Sequence, residues 1–285
     1  MEKESPNSQV VEGGQMEAQL KVQWQLSQGQ LNCLTACPRK FQHLYLDQLG
    51  LPQFEVPQDQ PRLGKQFHQL LHQKALGIDI SPLAQTHPQL QQWLTIFAQE
   101  PPPMIVGEHH SEHLRSLLMQ DYLLIAVYDL LIQGPQQAQI LDWKTYQRPQ
   151  DPDKLRLNWQ TRLYPFLLAA TSSYRPEQIS MTYWFAEVPP HRPATDHLLT
   201  VPYSQEMHQQ NQQDLSHLLD QLSQWFTGYE HGESFPQVPI AAGQCYTSKT
   251  VCNFVSRCQR QQEQTEALAE TEQLEDVAAI AEVSL

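Results

Sequence analysis

The sequence predicts an α/β (α+β) fold in which a mixed sheet is flanked by helices. Three observations carry that expectation. Helical periodicity occupies the first hundred residues; three strand-like apolar runs follow at 104–118, 121–132 and 138–145; a helix and another strand come after them. Helices, three strands, a helix and a strand form the order expected when helices cover a mixed sheet.

Each element has a local reason. Met1 to about Gln23 is polar and aperiodic, which predicts a disordered tail over 1–23. Ser27 followed by Gln30 reads as a capping box, and Leu31, Leu34, Phe41 and Tyr45 give an apolar face that Pro38 splits into two short helices. Pro52 to Pro61 reads as a loop, and 63–76 and about 86–99 as helices, closed by Pro101-Pro102-Pro103. After the three strand-like runs, a helix is expected over 153–171 and a strand from Ile179 to Val188. Pro189-Pro190-His191-Arg192-Pro193 is a loop before a short strand at Leu198–Val201. Leu215, Leu218, Leu219, Leu222, Trp225 and Phe226 mark the buried stripe of an amphipathic helix. Residues 263–285 form an acidic, Ala-rich tail, leaving 24–262 as a single domain.

Composition narrows the setting. The 285 residues carry a net charge of −13, but 263–285 alone holds seven acids and no base. The body is only weakly acidic, so a local basic groove or bound cations can still serve nucleic acid. No run approaches the roughly eighteen apolar residues of a membrane span. The N-terminus lacks the features of a secretory signal, and five cysteines argue against a disulfide scaffold, so a reducing, cytoplasmic setting is expected.

The most informative motif is Asp142-Trp143-Lys144 at the end of the third strand-like run, thirteen residues after Asp129. Strand alternation points Asp142 and Lys144 the same way. Pairing this strand with the one carrying Asp129 brings two carboxylates and an ammonium together. Two aspartates can hold a hard divalent cation, and a neighbouring lysine offers a point charge for a phosphate or an attacking water. That set suits metal-assisted phosphodiester cleavage. Upstream, Gly64-Lys65-Gln66-Phe67-His68 opens a helical segment. Downstream, Gln160 and Tyr164 share a helix face at i, i+4. The run Glu108-His109-His110-Ser111-Glu112-His113 invites a metal reading, but alternation splits its members between faces, so a solvated strand is favoured, with Glu108 able to approach the site.

The order His68, Asp129, Asp142-x-Lys144, Gln160-x-x-x-Tyr164, with Cys37-Pro38-Arg39-Lys40-Phe41 near the start, resembles the RecB-like branch of the PD-(D/E)XK nuclease superfamily. The resemblance implies a restriction-endonuclease-like αβββαβ core and a metal-dependent DNA nuclease, an exonuclease or single-strand nuclease serving repair, recombination or foreign-DNA processing. It implies Mg2+ or Mn2+ held by His68, Asp129, Asp142 and the Trp143 backbone carbonyl. Lys144 would activate the attacking water, and Gln160 and Tyr164 would position nucleic acid or the lysine. Arg39, Lys40, Lys154, Arg156 and Arg162 are the expected phosphate contacts. One departure stands out: Ala126-Val127-Tyr128 replaces the small glycine usual before the first aspartate, so Tyr128 is expected to crowd the substrate path.

The cysteines add a separable question. Some RecB-like nucleases, including the AddB and CRISPR-associated groups, tie their two ends together with a [4Fe–4S] cluster. Cys37 and Cys252-x5-Cys258 match that pattern, whereas the six-residue gap from Cys245 to Cys252 is longer than usual. Four thiolates can hold iron–sulfur or zinc, or be packed and metal-free. Cys33 is the spare. The alternative functions are a catalytically inactive nucleic-acid-binding module and an adaptor that keeps the fold. No Gly-x-x-x-x-Gly-Lys-[Ser/Thr] loop is present, so unwinding would need a helicase or other repair subunit on a separate chain.

Overall fold

The structure is a computed structural model that describes residues 24–50, 59–85, 87–147, 152–188, 194–247 and 250–260. The two expected tails and residues 52–58 of the expected loop lie outside them.

The chain enters through β1 (Trp24–Leu26) and α1 (Gln28–Ala36). The Ser27 backbone N–H donates to Gln30 Oε1 at 2.9 Å, satisfying a group that the first helical turn leaves without a partner. Pro38 opens α2 (Pro38–Phe41), and one π-helical turn, Gln42–Leu46, follows it. The helix α3 (Asp59–Ala75) begins earlier than its apolar pattern suggests, taking Pro61 into its first turn, where proline costs no hydrogen bond. A short helix that the sequence did not announce, α4 (Ser81–Ala84), precedes α5 (Pro88–Gln99).

Three strands follow: β2 (Glu108–Met119), β3 (Tyr122–Gln133) and β4 (Ala138–Gln147). The single helix expected over 153–171 is two, α6 (Pro152–Leu157) and α7 (Trp159–Ala170). Asn158 breaks it by adopting an extended backbone, and its side chain accepts from the Gln160 N–H at 2.8 Å. The strands β5 (Ile179–Glu187) and β6 (Leu198–Pro202) and the long helix α8 (Gln205–Glu230) complete the layered core.

The sheet is mixed, in the order β1-β3-β4-β5-β6, with β2 also paired to β3. The pairs β1–β3 and β4–β5 are parallel; the others are antiparallel. Along one edge of β3, β2 runs nearly the whole length. The other edge is divided. β1 takes Tyr122–Leu124, β4 takes Leu130–Gln133, and residues 125–129 pair with neither. That gap positions the site.

Each sheet face has its own core. Helices α1, α7 and α8 pack on one face over Leu124, Ala126, Tyr128, Ile140 and Tyr183. Helices α3 and α5 cover the other, where Phe67, Trp93 and Phe97 meet Leu141, Trp143 and Trp184. Burial of so many large aromatic side chains is the main stabilisation of both layers. No helix among the described residues is long and apolar enough to cross a membrane.

Candidate active site

A cleft of about 880 Å³ opens at the gap in the β3 edge. His68, Glu112, Asp129, Asp142, Lys144, Gln160 and Tyr164 all line it. They come from α3, β2, β3, β4 and α7, so the site is assembled from both layers and the sheet between them.

Asp129 sits where the β3–β4 ladder stops. Its Oδ2 accepts the Trp143 backbone N–H at 2.7 Å, and its Oδ1 lies 3.0 Å from His68 Nδ1. The Asp129 carboxylate thus bridges the splayed strand ends and reaches α3. Burial opposes a charge on His68, but the charge and hydrogen bond of Asp129 outweigh it, raising the imidazole pKa to about 9. One turn on, His72 Nδ1 meets Ser111 Oγ at 2.5 Å, a second tie between α3 and the sheet.

Asp142, Lys144 and Gln160 form a closed triangle. Lys144 Nζ donates to Gln160 Oε1 at 2.7 Å, and Gln160 Nε2 donates to Asp142 Oδ1 at 2.6 Å. The third side is the ion pair of Nζ with Asp142 Oδ2, at 2.9 Å. All three side chains are buried. Burial raises the Asp142 carboxyl to about 7 against the pull of Lys144, and the nearby Asp129 charge adds to the rise. A cation beside this carboxylate would relieve that penalty.

The donor set fits such a cation. Among the described residues, His68, Glu112 and Asp129 are the one group of three or more His, Cys, Asp or Glu side chains whose ligand atoms lie within 4.8 Å of one another. Carboxylate oxygens with one imidazole suit magnesium or manganese. Sequence reasoning placed His68 and Asp129 there and missed Glu112, reading its run as a solvated strand of which Glu108 alone was named as able to approach the site. Glu108 lies at the far end of β2, exposed and opposite Gln133. Strict alternation misled because the β2–β3 ladder is broken opposite Asp129.

Other expectations need correction. Tyr128 does not crowd the cleft: it is fully buried on the opposite face, where its hydroxyl donates to the Tyr164 carbonyl at 2.9 Å. Trp143 needs no correction: it lines the cleft, its indole packs in the α3–α5 core and its backbone N–H serves Asp129, and neither contact engages the carbonyl expected to hold the metal. Arg39 is occupied internally, its Nε donating to the Phe235 carbonyl at 2.6 Å. Arg162 pairs with Asp214 and Asn211 of α8 and stacks on Trp159 at 4.1 Å. Neither guanidinium faces the cleft as a phosphate contact. Arg156 pairs with Asp153 at 2.8 Å on the surface of α6, which also carries Lys154, and Lys40 borders the cysteines.

Cys37, Cys245, Cys252 and Cys258 line one small pocket. The gap from Cys245 to Cys252 folds back as a hairpin-like loop: Cys252 N–H donates to the Cys245 carbonyl at 2.9 Å, and Tyr246 bridges Val251. Gly243, at φ 74°, makes the turn into it. Cys252 precedes a series of turns. Cys33, the spare, packs beside the main core, where burial pushes its thiol to about 12.

A family model described as PD-(D/E)XK nuclease superfamily matches residues 25–259. A solved structure described as "Crystal structure of SSO0001" is similar at 14% identity and a TM-score of 0.38, covering 68% of this chain and 75% of that one. No curated protein matches the sequence.

Proposed function

The chain belongs to the PD-(D/E)XK nuclease superfamily, and from that premise we propose that it is a metal-dependent DNA nuclease, acting as an exonuclease or on single strands. The RecB-like branch is the part of the superfamily that its motif order suggests. The observation that carries the proposal is the buried Asp142–Lys144–Gln160 triangle beside Asp129 and His68 in one cleft. A structural ion pair would not need a cleft, a third polar partner and a second carboxylate at the same place.

His68, Asp129 and Asp142 would hold Mg2+ or Mn2+. When bound, that cation supplies Lewis-acid activation of the phosphodiester. Lys144 holds an ammonium where negative charge develops on the phosphate and orients the attacking water. Gln160 fixes the lysine, since its Oε1 accepts from Nζ while its Nε2 is committed to Asp142. Tyr164, on the same helix face and buried with its ring against Tyr128, lines the cleft and helps to position Gln160. Burial of the triangle excludes bulk water from its interior, which strengthens each of these contacts.

The four-cysteine pocket supports a [4Fe–4S] cluster joining the two ends of the fold. Zinc, which takes four thiolates in a tetrahedral set, is the second candidate for the same pocket. We assign the chain to DNA repair, recombination or foreign-DNA processing in the cytoplasm, with unwinding supplied by a partner helicase. A catalytically inactive nucleic-acid binder is the competing reading.

Labelled single- and double-stranded DNA incubated with protein and Mg2+ or Mn2+ tests the proposal. Degradation that disappears with chelator and in Asp142→Asn supports it. Binding without cleavage in either metal would establish the inactive reading instead.

A further inference from the structure

Glu112 has a conformation that its strand does not explain. It lies within β2 at φ 52°, in the left-handed region that a residue with a side chain rarely adopts. The β2–β3 ladder pairs His113 with Tyr128 and Ser111 with Leu130, and skips Glu112 and Asp129 between them. The skip changes which way side chains point. Regular alternation sends neighbours to opposite faces. Here Ser111 meets His72 of α3, while the next residue, Glu112, lines the cleft beside His68 of the same helix. On the facing strand Leu130 packs in the α3–α5 core, while its neighbour Asp129 reaches His68. Both strands thus turn two consecutive side chains towards α3 at the same level. The result is a carboxylate from each strand and an imidazole from the helix, with ligand atoms all within 4.8 Å.

We propose that Glu112 is a direct ligand of the divalent cation, completing with His68 and Asp129 a three-element metal site that Asp142 adjoins. This rests on the nuclease reading and adds to it a ligand outside the motifs that led to that reading. The chemistry is coherent. Three carboxylates face one imidazole and one ammonium, an excess of negative charge that a divalent cation neutralises. The hard oxygens suit Mg2+ or Mn2+, and the imidazole tilts the set towards Mn2+. The kink gives β2 a reach that a regular strand lacks.

The test measures metal binding directly, by the electron paramagnetic resonance of free Mn2+ titrated with the full chain. Glu112→Gln keeps the shape and removes the charge; Glu112→Asn does so with a residue that tolerates positive φ. Both variants should bind Mn2+ at least about tenfold more weakly than wild type, as lost metal contacts of lesser directness already do. Their melting temperatures in chelator should match wild type, which a merely structural glutamate would not allow. Wild-type Mn2+ affinity in both variants, with affinity lost in Asp129→Asn, would overturn the Glu112 assignment and leave the nuclease reading intact. No Mn2+ binding by wild type, together with no cleavage, would overturn both.

Discussion

Gly64 of α3 and Thr145 of β4 approach so closely that a Cβ on the glycine would lie 2.9 Å from Thr145 Oγ1. Gly64 stands one helical turn before His68, so this contact sets how near the imidazole comes to Asp129. Alanine at 64 gains about 1 kcal/mol of helix propensity, against which stands the displacement of helix or threonine. Gly64→Ala should therefore melt within about 1 kcal/mol of wild type yet cleave DNA markedly more slowly. Gly64→Ala/Thr145→Ala, which removes the obstructing hydroxyl, should recover much of the rate. A double variant as slow as the single one would show that the close approach does not position His68.

Asp142→Asn should abolish cleavage at nearly constant volume, a loss on the order of a hundredfold or more. The Gln160 amide must then face a side chain that can donate as well as accept, so the triangle weakens without collapsing. Circular dichroism should stay close to wild type, while melting in chelator falls because the buried Lys144 loses its counter-charge. Cleavage at the wild-type rate would mean that the activity lies elsewhere.

Lys144→Ala leaves the buried Asp142 without its counter-charge. Breaking a buried pair in this way costs about 3–5 kcal/mol, so the variant should melt well below wild type in chelator. Mn2+ should recover part of that loss, because a second cation can answer the same carboxylate, while cleavage stays absent. An identical melting temperature with and without Mn2+ would count against a cation beside Asp142.

Asp47 ties the end of α8 to the π-helical turn. Burial pushes its carboxyl up, but hydrogen bonds from His43, Tyr229 and Gln42 outweigh this and hold it below the usual carboxylate range. A depressed carboxylate adds stability that is present above its unfolded pKa and lost as pH falls through the folded value. The melting gap between wild type and Asp47→Asn should thus hold above the ordinary carboxylate range and narrow from roughly pH 4 downward. A gap constant over that range would show that these donors do not stabilise the charged form.

Cys252→Ser should yield colourless protein if the pocket holds an iron–sulfur cluster, whereas Cys33→Ser should stay brown. Chelation or oxidation should then loosen the C-terminal segment in wild type, seen as faster proteolysis of residues 235–260. Colourless wild type prepared without oxygen, as stable as the brown form is expected to be, would leave the cysteines as packing.

The layers and most of the site were legible because both follow from short-range rules. Period-two and period-3.6 patterns placed the three central strands and α8, and the Asp-x-Lys spacing put two side chains on one face of β4. The break at Asn158 was harder to see, since Leu155 and Leu163 continue an apolar helical pattern across it, and both are buried. Glu112 was missed for a different reason. Its direction depends on a positive φ in mid-strand, and nothing in Ser111-Glu112-His113 signals one. The roles of Arg39 and Arg162 were hidden because their partners, Phe235 and Asp214, are distant in sequence. Tyr128 was misjudged because adjacency to Asp129 along the chain is not adjacency in space across a strand.

The docking of the last described residues on the first helices has a consequence for synthesis. Arg39 binds the Phe235 carbonyl, Gln42 Oε1 accepts the Phe235 N–H at 2.8 Å, and Cys37 faces three cysteines beyond residue 244. The wall of the cleft formed by β1 and α1 continues directly into these elements. On a ribosome, α2 emerges and waits for partners some two hundred residues later. Contacts so far apart in sequence close last. A nascent chain would therefore carry its Asp129–Asp142 pair beside an unfinished wall, and would acquire a complete cleft only once residues 235–258 have been made.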